Sequence, residues 1–424
     1  MTSLALVAGA SFAALLGGCT DSSTGPGAGA AANVLYVLSN DPAANQNSVF
    51  GYKRAGDGTL TAMAGSPFLT GGTGVANATQ GLGPDDVDLP ITVSANHRLL
   101  FAVNPGSNTI AVMAIASNGS LTPIAGSPFS SGGINPVSIG LDGDKLYVVN
   151  KAQDPAQPTA QLPNYTGFSV TSIGALTPIV GSTVTTVAGA SPQIALVSPS
   201  KALLFGADFL APTTPSRQGA LRAFAIGATG TLTAAPGTPL DIPGDPTKRV
   251  VLGLASHPTQ NVLYVGFVAQ DKLGVYSYDG TSGALTFRTT ANNSGHAICW
   301  IVTNSSGSAL YTANTASNSV SWYNTTTPLA PTEAQHLVLK EPGPLYTDGM
   351  GMMVPTSEDF QLTLDPSGKN LYVLSQHTNP DFSVTNGNIL HVLTVAADGS
   401  LTEPGTPVHL PVTTRTRPWG VVAF

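Results

Sequence analysis

One short segment recurs seven times along this chain: apolar or small residues, an aromatic near the centre, and usually Asn, Asp or Ser closing it. The copies are residues 34–39, 99–104, 145–150, 203–208, 262–267, 309–314 and 370–375, centred on Tyr36, Phe101, Tyr147, Phe205, Tyr264, Tyr311 and Tyr372. Successive aromatics stand 46 to 65 residues apart, within or above the range of blade-type repeats. One four-stranded blade cannot cover both of its faces, whereas a ring of blades covers them all. The repeat therefore predicts a single all-β domain, a seven-bladed β-propeller of four-stranded antiparallel blades, where length alone suggests two or three domains.

Residues 84–129 show the grammar of one unit. An apolar run from Val87 to Val93 is followed by the turn Ser94-Ala95-Asn96-His97 and the repeated segment Leu99 to Asn104. Pro105-Gly106-Ser107-Asn108 turns into Thr109 to Ile115, and Ser117-Asn118-Gly119-Ser120 turns into Leu121 to Ile124. That is four strands joined by short hairpins. The third turn recurs as Gly58-Thr59-Leu60-Thr61, Gly174-Ala175-Leu176-Thr177, Gly230-Thr231-Leu232-Thr233, Gly283-Ala284-Leu285-Thr286 and Gly399-Ser400-Leu401-Thr402. A closing element recurs as Gly65-Ser66-Pro67, Gly126-Ser127-Pro128, Gly237-Thr238-Pro239 and Gly405-Thr406-Pro407. The sixth unit lacks the Gly-x-Leu-Thr turn, and 328–356 reads as an elaborated loop. The chain ends on a first-strand pattern, Trp419 to Phe424, and its first repeat is a second strand. One blade is thus expected to be shared between the termini, with Val421 beside Val37, which removes the open sheet edge.

Charged residues are only 9% of the chain and the formal charge is −7. That balance excludes a nucleic-acid surface, which needs clustered Lys and Arg. Residues 1–19 are apolar and end in Leu16-Gly17-Gly18-Cys19, which resembles a bacterial lipoprotein signal with Cys19 as the lipidation site. An ordinary secretory signal is the alternative, and the segment departs from either pattern in that no Lys or Arg precedes the apolar run. Residues 20–32 read as a flexible tether and 33–424 as the propeller. The expected location is the bacterial cell envelope, exported, with the membrane reached through a lipid anchor only. Cys299 is expected to be a buried, inert thiol. No Cys/His spacing suggests a metal, and no cofactor is implied.

The succession of apolar strand, Ser/Asp-Pro-x-Gly turn, Leu-Tyr-Val and Gly-x-Leu-Thr resembles the seven-bladed lactonase propellers, a family that includes bacterial 6-phosphogluconolactonases. Leu362 to Val373 carries the resemblance best. The resemblance implies a site with a His pair, a Glu and an Arg. At the corresponding openings this chain has Pro84-Asp85-Asp86-Val87 and Pro192-Gln193-Ile194, while the Glu position falls on Gln361 and the Arg position near Gln376.

In a propeller, the loops opening the inner strands and those following the second strands meet at one mouth of the central channel. Reading those positions gives His296, Arg249, Glu358 and Asp85 as candidate catalytic residues. Arg249 or Arg417 would polarise a carbonyl, and His296, Glu358 or Asp85 would act as general base. Candidate substrate-binding residues are Arg417, Lys248, Asn104, Asn150, Asp208, Asn314, Gln376 and His377. His97, His257 and His391 fall away from the mouth and read as structural. Two functional readings stay open. One is a lactonase-like hydrolase acting on a small lactone or acidic metabolite. The other is a non-catalytic, envelope-anchored propeller that binds a protein or glycan partner. A monomer is expected in either case.

Overall fold

The computed structural model describes Met1 and residues 33–76, 87–153, 161–209, 219–347, 353–377, 387–413 and 415–424. The signal and tether positions, including Cys19, lie outside the described residues. Among the described residues no helix is long and apolar enough to cross a membrane.

Seven antiparallel sheets form the seven blades, numbered here along the chain. Blade 1 is shared between the termini, with strands Gly420–Ala423, Val34–Leu38, Ser48–Arg54 and Leu60–Ala62 from the inside out. Blades 2, 3 and 4 begin at Ile91–Val93, Pro136–Asp142 and Leu196–Val197. Blades 5, 6 and 7 begin at Val251–Ser256, Ile298–Thr303 and Ser357–Leu364. The ring closes as expected, with Val37 opposite Val421.

The repeated segment is the second strand of every blade, and its continuous apolar character has a direct cause. Both faces of each blade are covered by neighbours, so both sets of alternating side chains are buried. In Val34–Leu38 every residue is buried. Val34, Tyr36 and Leu38 pack in the cluster that contains Leu100 and Val112 of blade 2. Leu35 and Val37 pack with Tyr372, Leu374 and Leu390 of blade 7. Each such side chain contributes about 1.5–3 kcal/mol relative to exposure.

Two recurrent motifs meet across the blade interfaces. The second-strand tyrosine of one blade donates its hydroxyl to the carbonyl of the turn glycine in the next. The pairs are Tyr36 with Gly119, Tyr147 with Gly230, Tyr311 with Gly399 and Tyr372 with Gly58. Blade 6 lacks the glycine turn, and Tyr264 donates instead to Pro328 at 3.0 Å. Phe101 and Phe205 have no hydroxyl to donate. The closing motif also has a local task. The hydroxyls of Ser66, Ser127 and Thr238 accept the backbone N–H of Gly51, Val112 and Ala223 in the third strand of their own blades.

Two expectations about local structure need correction. Residues 328–356 are not simply a loop: Thr332–Val338 is the fourth strand of blade 6, and Leu345–Thr347 pairs with Met353–Pro355 in a separate hairpin. The apolar run Val87–Val93 is not one strand either, since only Ile91–Val93 joins the sheet. Pro90 has no N–H for the ladder, and Leu89 before it turns into the left-handed region at φ 53°, which no strand continues through.

Candidate functional site

Register places the predicted mouth on one face of the ring. Asn150 lies opposite Pro136, Asn314 opposite Ile298 and His377 opposite Ser357, so second-strand ends sit beside inner-strand openings.

The four residues before the blade 2 strand fill the channel from that connection. The Val87 carbonyl accepts Trp300 Nε1 at 2.6 Å and Gln361 Nε2 at 3.1 Å, from blades 6 and 7. Asp88 N–H donates to the Gln193 carbonyl at 3.3 Å, and Ile139 N–H of blade 3 donates to the Leu89 carbonyl at 2.9 Å. Leu89 adopts φ 53°, a left-handed conformation that a branched side chain takes only when its surroundings impose it. The Asp88 carboxyl accepts the N–H groups of Leu89 and of Leu254 in blade 5. The Leu254 N–H follows a bulge in the blade 5 inner strand between Leu252 and Leu254. Such bulges re-aim groups beside functional sites. Asp88 is 6% exposed, and burial pushes its carboxyl up to about 7 against those two hydrogen bonds. Sequence reading missed it, because Asp88 sits inside an apolar run next to the more conspicuous Asp85 and Asp86.

Four predicted residues come together where blade 7 meets blade 1. Glu358 lies opposite Gln376 and Ser357 opposite His377. Arg417 Nε donates to the His377 carbonyl at 3.0 Å, and Gln376 Nε2 to the Pro418 carbonyl at 2.6 Å. Glu358, Gln376, His377 and Arg417 are all buried. Beside them Asp359 accepts the Asn314 N–H at 3.0 Å, and burial lifts its carboxyl well above the usual range. Farther round the same mouth stand Asn135 and Gln193, fully buried, with no protein partner for any of their four side-chain amide atoms. Buried polar atoms left so cost about 1–3 kcal/mol each unless water or a ligand satisfies them.

Other predicted residues have structural partners. Asn104 accepts from Asn47 and Thr70 of blade 1, Asn150 donates to Ser131 O, and Asn314 accepts from Asn293. These asparagines clamp loops between neighbouring blades. Asp208 is fully buried and chelated by Arg222, and burial still holds its carboxyl above the ordinary range. At the outer rim His296 is exposed and pairs with Asp271 at 3.0 Å, Arg249 pairs with Asp241 at 3.3 Å, and Lys248 is exposed. The His296 and Arg249 pairs share no residue. Asp85 lies outside the described residues. Cys299 is buried in the blade 6 inner strand. Among the described residues no group of three His, Cys, Asp or Glu side chains is arranged to hold a metal ion.

A second constellation resembles a hydrolytic triad. Ser375 Oγ is 3.0 Å from His391 Nε2, and His391 Nδ1 is 2.7 Å from Glu403 Oε1. Ser375 and His391 are both 0% exposed, and the serine hydroxyl also reaches Asn318 Oδ1 of blade 6. The other Glu403 oxygen takes the Lys340 N–H. With the Ser375 hydroxyl and both Glu403 oxygens engaged between the two blades, this trio pins blade 7 to blade 6. His97 stacks on Phe424, and His257 Nδ1 accepts from Thr259 and Gln260 N–H. All three histidines are structural.

Residues 251–348, which span blades 5 and 6, match the family model described as lactonase, 7-bladed beta-propeller. No curated protein matches the chain in sequence. A candidate 6-phosphogluconolactonase of Bacteroides uniformis superposes with a TM-score of 0.64 at 14% identity, over 92% of this chain and 98% of that one. Its counterpart from Bacteroides fragilis gives 0.61 at 14% identity, over 92% and 97%. The periplasmic gluconolactonase of Pseudomonas aeruginosa gives 0.51 at 16% identity, over 90% and 84%. At such identities the likeness is one of fold. The chain is a seven-bladed β-propeller, and its blades 5 and 6, within residues 251–348, are similar in sequence to the lactonase propellers.

Proposed function

We propose that the chain hydrolyses a small lactone or related acidic metabolite at the channel mouth. The observation that supports this reading is a set of buried polar groups at the inner-strand openings: Glu358 and Arg417 where blade 7 meets blade 1 and, farther round the same mouth, Asn135 and Gln193, whose amides have no protein partner. A polyhydroxylated ligand would satisfy such amides, as few apolar ligands could. Arg417 would polarise the lactone carbonyl, and a buried carboxylate would activate water. His296 and Arg249, each already paired at the rim, would bind or steer substrate rather than carry the chemistry. The test is turnover of a panel of aldono- and other lactones by the chain, with Glu358→Gln and Arg417→Ala alongside. Loss of turnover in both variants supports the reading, and turnover untouched by both places the reaction elsewhere.

One observation favours the second reading, a propeller that binds an envelope protein or glycan without catalysis. Gln361 occupies the position where the resemblance expects a glutamate, and its amide is engaged by the Val87 carbonyl. Absence of turnover on every lactone, with retention of a glycan or envelope protein by the folded chain, would favour it. Export and tethering through Cys19 go with either reading. Release of a Cys19→Ala chain from membranes tests the anchor.

A further inference from the structure

We infer that Asp88 is the proton-transferring residue of the channel-mouth site, held by the segment Val87–Leu89, whose peptide groups bond to four other blades. The inference rests on the hydrolytic reading above. Its first support is position. The flanking peptide groups are fixed by blades 3, 4, 6 and 7, and the carboxyl itself by the Leu254 N–H of blade 5. A group so held keeps its geometry from one turnover to the next, which is what proton transfer at a set distance requires. Its second support is surroundings. Gln193, whose backbone carbonyl takes the Asp88 N–H, carries an unpartnered buried amide, and so does Asn135.

The charged and titratable groups of the elements around it are few. The blade 3 inner strand has Asp142 at its far end, facing Lys201. The blade 4 and blade 5 inner strands have none, and blade 6 has the thiol of Cys299. Blade 7 has Glu358 and Asp359, and Arg417 precedes the blade 1 strand. Burial is the one influence that raises Asp88, and two N–H bonds oppose it. A carboxyl that ionises close to neutrality is matched to taking and returning a proton at ambient pH.

The step balances without a co-reactant. The Asp88 carboxylate takes a proton from water as the water oxygen bonds to the lactone carbonyl carbon. The ring C–O bond then breaks, and the proton passes to the departing ring oxygen, which gives the open hydroxy acid and regenerates the carboxylate.

The experiment follows the carboxyl by 13C NMR in the full chain and in Asp88→Asn, and measures kcat/KM on lactones against pH for both and for Asp88→Glu. The expected result is one carboxyl titrating near pH 7 that Asp88→Asn removes. With it goes a rate that rises tenfold per pH unit below that midpoint. Asp88→Asn is expected to lose about 100-fold or more in kcat/KM and the acid limb of the profile, with partial recovery in Asp88→Glu. An Asp88→Asn chain that keeps both rate and limb overturns the inference and leaves the lactone reading standing. A midpoint below pH 5 overturns it as well. Absence of turnover by the native chain at every pH overturns the lactone reading itself, and the catalytic role of Asp88 with it.

Discussion

The Tyr372 hydroxyl donates to the Gly58 carbonyl at 3.1 Å, joining blade 7 to blade 1 between residues 314 positions apart. It stands at the seam where the chain's two ends meet, so it is one of the few polar contacts that register closure of the ring. The same seam holds the buried pair Arg54–Asp365 at 3.0 Å, with Arg54 lying over the Tyr372 ring.

Tyr372→Phe removes the hydroxyl and deprives the buried Gly58 carbonyl of this donor. The expected loss is about 1–3 kcal/mol, seen as a lower urea midpoint with an unchanged slope. The converse change, Phe101→Tyr, places a hydroxyl toward the blade 3 turn at Gly174 and is expected to be neutral or mildly stabilising. A Tyr372→Phe chain as stable as the native one would show that water replaces the contact.

The comparison of these two positions shows what the residues disclosed in advance. Tyr372 and Gly58 each belong to a motif that recurs, and recurrence alone was enough to place both at strand and turn positions, count the blades and pair Val37 with Val421. That each motif binds the other was not visible, because the contact joins different repeats. The site was less legible for a physical reason. Glu358, Gln376, His377 and Arg417 lie at positions set by the repeat, and they do converge. Asp88 lies where the chain departs from the repeat, and an apolar run with a proline at its end reads the same whether it forms a strand or fills a channel. Asn104 and Asn314 misled in the opposite direction: the repeat places them at the mouth, but their amides bind neighbouring loops.

Asp88 gives stability a pH dependence of defined sign. Its carboxyl is raised in the folded chain to about 7 from an ordinary 3.8, so the folded state prefers the protonated form. The folded chain then binds more protons than the unfolded one between about pH 4 and pH 7, and stability falls as pH rises through that window. Above it both states are ionised and this dependence stops. The full effect is roughly 3–5 kcal/mol by linkage, and Asp359 acts in the same direction. Asp88→Asn is expected to flatten the decline, with urea midpoints at pH 4.5 and pH 7.5 drawing closer than in the native chain. Equal declines in the two proteins would mean that Asp88 is ionised in the fold well below neutrality.

Gly253 is the position where the blade 5 inner strand bulges, at φ +70°. A Cβ there would stand 1.7 Å from the Cys299 carbonyl oxygen, a backbone atom that cannot swing aside. Gly253→Ala is therefore expected to shift the bulge and the Leu254 N–H that binds Asp88, at a cost of about 3 kcal/mol or more. Gly143 sits in a turn at φ +56° with open space around its Cβ direction, so Gly143→Ala carries backbone strain but no clash. Unfolding of both chains side by side separates the two effects. A Gly253→Ala chain no less stable than Gly143→Ala would show that the blade 5–blade 6 interface yields.

Ser375, His391 and Glu403 have the distances of a catalytic trio and the burial of a structural one, and substitution tells the two apart. Ser375→Ala removes a hydroxyl that His391 and Asn318 both use, so it is expected to cost about 1–3 kcal/mol. His391→Ala leaves a cavity and strands the buried Glu403 carboxylate, so a larger loss of about 3–5 kcal/mol follows. Ser375 stands opposite Asp359 and next to Gln376, but neither change removes a group that the proposed hydrolysis uses, and kcat on any lactone should stay within twofold below the melting transition. A serine-directed phosphonate should leave Ser375 unlabelled in the native chain. Labelling of Ser375, or a hundredfold loss of turnover in a Ser375→Ala chain that remains folded, would move the chemistry from the channel to the interface of blades 6 and 7.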